Sequence, residues 1–189
     1  MSQSTVTEEA RGLPREPTSP AIMALFVGAL VVWVAVLLWQ VAALPSVFAI
    51  RFDFSGQPTS WWGKGSSLGL SVVLAAVLVA PALFTSPLLL RAPQLISAPN
   101  SHWWTATPRR LRRFERILRE DLLLLAAACL LLLAIAEAGI TVAANSTGGG
   151  MPPVVLVAML VPLAGLVVVT ARMIGAGGRY DSQPALDHE

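Results

Sequence analysis

Apolar residues in this chain do not alternate with polar ones; they run on in four long stretches. A helix needs about 20 consecutive, predominantly apolar residues to cross the hydrocarbon of a bilayer. Four segments meet that length: Ala21 to Ala43, Ser67 to Leu90, Leu122 to Ala144 and Pro152 to Ile174. The first two carry no charge. The third holds only Glu137, and the fourth only Arg172 near its end. A soluble core helix can imitate one such segment but hardly four. The pattern predicts an all-α integral membrane four-helix bundle. It divides the chain into a polar segment 1–20, an outer loop 44–66, a basic loop 91–121, a short hairpin 145–151 and a tail 175–189. The run at 21–43 is too long for a cleavable signal peptide, and the residues before it mix acidic, basic and proline positions. Residues 1–20 are expected to be a disordered cytoplasmic tail.

Composition agrees with the pattern: 55% of the 189 residues are hydrophobic, 13% are charged, and the mean hydropathy is +0.68. The net charge of +2 is too small to suggest a nucleic-acid partner, but its distribution sets the orientation. Eleven of the thirteen Lys and Arg residues fall in the segments before the first span, between the second and third, and at the chain's end; Arg51 and Lys64 are the exceptions. The positive-inside rule then predicts that both termini and the middle loop face the cytoplasm.

The middle loop opens like a helix. Thr107 can cap it, and Pro108 suits its first turn. Leu111, Phe114, Ile117 and Leu118 recur on one face, while Arg109, Arg110, Arg112, Arg113, Arg116 and Arg119 cover the rest. This spacing predicts a basic amphipathic helix lying on an anionic inner leaflet before turning into the third span. Each arginine near such a surface contributes about 1 kcal/mol. Trp103 and Trp104 upstream fit an interfacial aromatic belt. The alternative is a docking site for a protein or a specific lipid.

The outer loop is the most distinctive stretch. Leu44-Pro45 closes the first helix, Val47 to Phe54 reads as a short extended segment, and Ser55-Gly56-Gln57-Pro58 reads as a turn. Trp61, Trp62 and Lys64 are expected to anchor the start of the second span. Leu44, Pro45, Phe52, Gly56, Pro58, Trp61 and Lys64 stand where a signature of bacterial membrane proteins has its landmarks, and the loop resembles the domain-of-unknown-function 1648 family. Asn100, Trp104, Pro108, Arg109 and Arg110 are similar to that family's second motif, with one residue inserted before the proline. The resemblance covers roughly residues 25–125. Its usual histidine falls on Arg51, its second proline on Ala49 and its turn aspartate on Thr59, so no metal or proton role transfers to that histidine position. A longer member of that family confers immunity to a secreted sporulation-delay toxin. By analogy the resemblance implies immunity or sensing, without that member's additional C-terminal helices.

Catalytic patterns are missing from the sequence. It contains no P-loop, no paired-cysteine zinc pattern and no His-Glu-x-x-His. No cofactor is expected, and His102 and His188 receive no role. Cys129, the single cysteine, reads as a small apolar side chain. Asn145-Ser146-Thr147 matches a glycosylation pattern that is read as chance in a bacterial protein. Glu137 needs an explanation, because an ionisable group within a span costs about 2.5–3.5 kcal/mol on insertion scales. It lies some seven residues from the outer end of its span, or roughly 10 Å deep at 1.5 Å per residue. Thr141 shares its face, Gln40 and Ser71 lie at compatible depths, and Arg51 or Lys64 could reach in. Two readings stay open: a glutamate tying helices together, and a polar pocket open to the outside.

The expected function is that of a non-enzymatic accessory, sensing or immunity-like membrane protein acting through its outer loop and basic helix. Its expected partners are an anionic inner leaflet and either another membrane protein or a second copy of the chain. The alternative is a small transporter or channel subunit using Glu137.

Overall fold

The computed structural model describes residues 3–52, 58–92, 100–146, 152–174 and 179–181. In chain order these form α1 (Gln3–Gly12), α2 (Pro20–Ala43), β1 (Val47–Phe52), β2 (Pro58–Gly63), α3 (Lys64–Leu89), α4 (Ser101–Trp104), α5 (Pro108–Asn145) and α6 (Pro153–Ile174). Four of these helices, α2, α3, α5 and α6, are long and apolar enough to cross a membrane. The protein is an all-α, multi-pass bundle with one small hairpin.

The bundle is organised around α5. Helices α2, α3 and α6 each pack along it, whereas α2 and α3 touch each other little and α6 rests essentially on α5 alone. Side-chain size explains this arrangement. The buried positions of α5 within the span are mostly small: Ala126, Ala127, Ala128, Ala134, Gly139, Thr141 and Ala143. Lipid tails are as apolar as leucine, so helices associate in a membrane where small side chains allow close van der Waals contact. Phe26 and Trp33 of α2 fill the resulting shallow surface together with Ala75 and Ala82 of α3. Outward-facing Val31, Leu38, Val77, Phe84, Val161 and Val168 remain exposed, as residues that contact lipid would.

Helix α5 has 38 residues, so it is about 57 Å long. Its start follows the sequence reading: Pro108 occupies the first turn, and the Thr107 hydroxyl accepts from the Arg110 N–H at 3.4 Å. The helix then runs without interruption from Pro108 into the span. This corrects the expected basic helix lying on the leaflet, because one continuous helix cannot lie in the membrane plane and cross it too. The stretch from Pro108 to Leu122 rises about 21 Å at 1.5 Å per residue, against a headgroup layer of about 5–8 Å per leaflet. With the span taken from Leu122 and upright, that rise exceeds the thickness of one headgroup layer.

What covers those turns is a second correction. Residues 3–12, expected to be disordered, form α1 and pack on α5, with Val6 and Ala10 buried. Ala10 joins Leu89 and Leu90 from the end of α3, Trp104, Leu111, Phe114, Ile117 and Tyr180 in a compact apolar core. Trp104 is fully buried, with its ring centroid 5.4 Å from that of Phe114, so it is a core residue rather than part of an interfacial belt. Residues 3–19, the stretch from Asn100 through the first turns of α5, and residues 179–181 thus gather at one arginine-rich end of the bundle, here called the cap.

The opposite end carries the hairpin. The single extended segment expected after Pro45 is one of two antiparallel strands: Val47 pairs with Gly63, Phe48 with Trp62, and Arg51 with Ser60, with irregularities on either side of Arg51. The Lys64 N–H donates to Ser46 O at 2.9 Å, which joins the base of the hairpin to the first residue of α3. Leu44 and Phe48 are buried there, while Trp61 is exposed.

Candidate functional site

Two polar clusters stand out, one within the spans and one in the cap. The first brings Glu137 together with Gln40, Ser71 and Thr141, the three residues expected at its depth or on its face. Gln40 of α2, Ser71 of α3, and Glu137 and Thr141 of α5 are each buried. The arrangement differs from a simple glutamate–glutamine pair. Gln40 Nε2 donates to the backbone carbonyl of Glu137 at 3.2 Å and to Thr141 Oγ1 at 3.1 Å. The Thr141 hydroxyl donates back to the same carbonyl at 2.8 Å. Trp33 Nε1 donates to Ser71 Oγ at 3.2 Å, which places the Ser71 hydroxyl beside the Glu137 carboxyl. The other carboxyl oxygen, Oε2, is buried with no hydrogen-bond partner. Nearer the hairpin, Asn145 Nδ2 bridges Ala43 O at 3.1 Å and Thr141 O at 2.8 Å. Three spans therefore meet at Glu137, and the polar atoms of α2 and α5 largely satisfy one another.

The cap is held by arginines, and this corrects the lipid-facing assignment of Arg112 and Arg119. Both are buried. Arg112 caps the exit from α1: its Nε donates to Ala10 O at 2.6 Å, and its Nη2 to Arg11 O at 3.0 Å and Leu13 O at 2.9 Å. Carbonyls at the end of a helix lack the usual helical donors; here Ala10 O also accepts from the Leu13 N–H at 3.3 Å, and Arg112 serves the rest. Arg119 holds the next stretch through Thr18 Oγ1 at 2.9 Å and Glu16 O at 2.5 Å. Buried guanidinium groups need a counter-charge. Glu115 supplies it, at 3.2 Å from Arg112, 2.7 Å from Arg119 and 3.4 Å from Arg15. Arg116 pairs with Glu16 at 2.8 Å.

The C-terminal segment is tied down in the same way. Arg179 bonds Asp121 at 2.8 Å and Glu120 at 2.7 Å. The Tyr180 hydroxyl donates to Asp121 Oδ2 at 3.0 Å, and Trp104 Nε1 donates to Tyr180 O at 2.8 Å. Glu120 also accepts from the Ser19 N–H at 3.0 Å, just before α2 begins. Burial pushes the Glu120 carboxyl up, but the hydrogen bonds from Arg179 and Ser19, together with the Arg179 charge, outweigh it and hold the group below the usual carboxylate range. Burial, then the Asp121 charge and hydrogen bond, push the Tyr180 phenol far up, so it stays a donor.

Beside this network lies a cleft of about 1290 Å³, bordered by Glu9, Glu16, Arg109, Arg110, Arg112 and Arg113. Arg110 stacks 4.3 Å over the Trp103 ring. Arg113 Nε is buried without a hydrogen-bond partner. Among the described residues, no group of three or more His, Cys, Asp or Glu is placed to hold a metal.

No protein-family model matches the chain, and no curated protein or solved structure matches it either.

Of the outer-loop positions singled out in the sequence, Leu44 and Pro45 follow α2, Arg51 and Phe52 end β1, Pro58 and Trp61 lie on β2, and Lys64 opens α3. Gly56 lies outside the described residues. The sequence reading missed Glu115, Glu120 and Asp121. Their signal was present: Arg112, Glu115 and Arg119 are spaced i, i+3 and i+7, so the acid faces both arginines on one helix side.

Proposed function

We propose that this chain is a non-enzymatic accessory protein of a bacterial inner membrane, working by contact at its cytoplasmic cap. The observation that supports this reading most directly is the cleft at the start of α5, where four guanidinium groups meet two carboxylates. The positive-inside rule assigns this end to the cytoplasm, and its height above the hydrocarbon suits a protein segment better than a lipid headgroup. An acidic segment of a partner fits the charge, because guanidinium forks bind carboxylates in a defined geometry. The unpartnered Arg113 Nε is a donor that such a segment would satisfy. Burial of Arg112 and Arg119 contributes rigidity, so little ordering is needed on binding. The outer hairpin, where the family-like residues gather, is a second contact surface consistent with an immunity or sensing role.

Crosslinking in the native membrane, followed by recovery through a C-terminal tag, tests this reading. One dominant partner is expected from the wild type, and much less of it from the Arg109→Ala/Arg113→Ala variant at equal accumulation. Recovery of this chain alone, or an unchanged partner yield from the variant, would refute it.

A further inference from the structure

The intramembrane cluster has a different chemistry from the cap and stands independently of the contact role. Its donors are nearly all engaged. Both hydrogens of the Gln40 amide are directed to Glu137 O and Thr141 Oγ1. The Thr141 hydroxyl hydrogen goes to Glu137 O, and the Trp33 indole hydrogen to Ser71 Oγ. None of these donors is directed to the Glu137 carboxyl, whose neighbour on α3 is the Ser71 hydroxyl, and its buried Oε2 has no partner. A carboxylate anion offers about four acceptor positions, and a buried charge without a partner is far more costly than a buried neutral acid.

No counter-ion is on hand among the described side chains. The elements packed around the group present Gln40 and Trp33 from α2, Ser71 from α3 and Thr141 from α5, none of them ionisable. Lys64 is seven residues before Ser71 on α3, about 10 Å toward the hairpin. Arg51 lies on β1 at that same end, and Arg172 is on the last turn of α6, toward the cap. Among the described residues no cluster of metal-ligating side chains includes Glu137, and the cation that a lone buried carboxyl takes is a proton.

We propose that Glu137, where α2, α3 and α5 meet, is a proton-binding site within the membrane that exchanges with the hairpin side. Exchange on that side follows from position: Glu137 is about 12 Å from the α5 end at Asn145, and about twice that distance from Asp121 at the cap. Because the same residue's carbonyl receives Gln40 and Thr141, loss of the proton places an unpaired charge at the junction of three spans. The site thus couples protonation to the packing of α2 and α3 on α5.

Dicyclohexylcarbodiimide, which attacks protonated carboxyls in apolar surroundings, provides the test. It would be applied to the full chain in oriented vesicles with the two aqueous phases buffered separately. Mass spectrometry should find Glu137 labelled near neutral pH, where the exposed Glu8 and Glu9 are not. Labelling should fall as the hairpin-side pH is raised and ignore the cap-side pH. The infrared carbonyl band of a neutral carboxylic acid should accompany it and vanish in the isosteric Glu137→Gln variant. Absence of both label and band would overturn the proposal. Labelling that follows the cap-side pH, or that is suppressed by sodium at constant pH, would overturn it as well.

Discussion

Glu115 is the residue on which the cap depends most. Its side chain is 2% exposed and answers two guanidinium groups that are themselves largely buried. Replacing it with glutamine keeps the volume but leaves Arg112 and Arg119 without their counter-charge. Removing one partner of a buried ion pair costs about 3–5 kcal/mol. Both arginines also hold the N-terminal segment through backbone carbonyls, so the penalty falls on the docking of residues 3–19 rather than on the spans. Trypsin reads this directly, because Arg11 and Arg15 lie in that segment. Arg11 is held by its bond to Leu90 O at 2.8 Å. When opening is fast relative to cleavage, the cutting rate follows the open population. At 1.4 kcal/mol per factor of ten, Glu115→Gln should speed cleavage at these sites by about a hundredfold or more, up to full opening. Cleavage in the short connections between spans should not change. A triple change of Glu115, Arg112 and Arg119 to apolar residues should recover part of the loss, since apolar replacement of a whole buried network is often neutral. It should not recover all of it, because the carbonyls of Arg11, Leu13 and Glu16 lose their guanidinium donors and that of Ala10 keeps only the Leu13 N–H. Wild-type cleavage rates in Glu115→Gln would refute the reasoning.

Three further outcomes follow. Because Glu120 is held below its ordinary range, its share of the docking of Arg179 is present at neutral pH and is lost as pH falls below about 4.3. A fluorophore placed after Asp181 should stay immobile at neutral pH and loosen in acid; Glu120→Gln should be loose throughout, and equal mobility at both pH values would contradict this. Gln40→Ala removes two hydrogen bonds between α2 and α5, at about 0.6 kcal/mol each in membranes, and should lower stability by about 1–2 kcal/mol in unfolding from detergent. An unchanged unfolding midpoint would show that the cluster does not tie the spans together. Trp104→Ala empties a fully buried site and should cost the cap about 3–5 kcal/mol. Tryptic cuts should then appear at both Arg11 and Arg179, and protection equal to wild type would argue against a shared core.

Much of the span architecture was legible because a membrane crossing is a local property: one apolar run of sufficient length. The Thr107–Pro108 helix start was equally local. Depth along the spans was enough to bring Gln40, Ser71 and Thr141 to Glu137, but not to show that the Gln40 amide bonds the backbone carbonyl of Glu137. The cap was not legible, because it is made of contacts distant in sequence. Arg112 reaches Ala10 across 102 residues, and Arg179 reaches Asp121 across 58. A polar decapeptide such as Gln3–Gly12 carries little hydrophobic signal of its own, and its order comes from the guanidinium that caps it. Counting Arg112 and Arg119 without Glu115 turned two members of an internal network into part of a lipid surface.

A photo-crosslinking amino acid at position 109, compared with one at the lipid-exposed Leu156 on α6, tests the central claim most directly. The account predicts one discrete protein adduct from position 109 in native membranes, reduced by Arg113→Ala, and only lipid adducts from position 156. Lipid adducts alone from position 109 would return the arginines to the membrane surface and contradict the account.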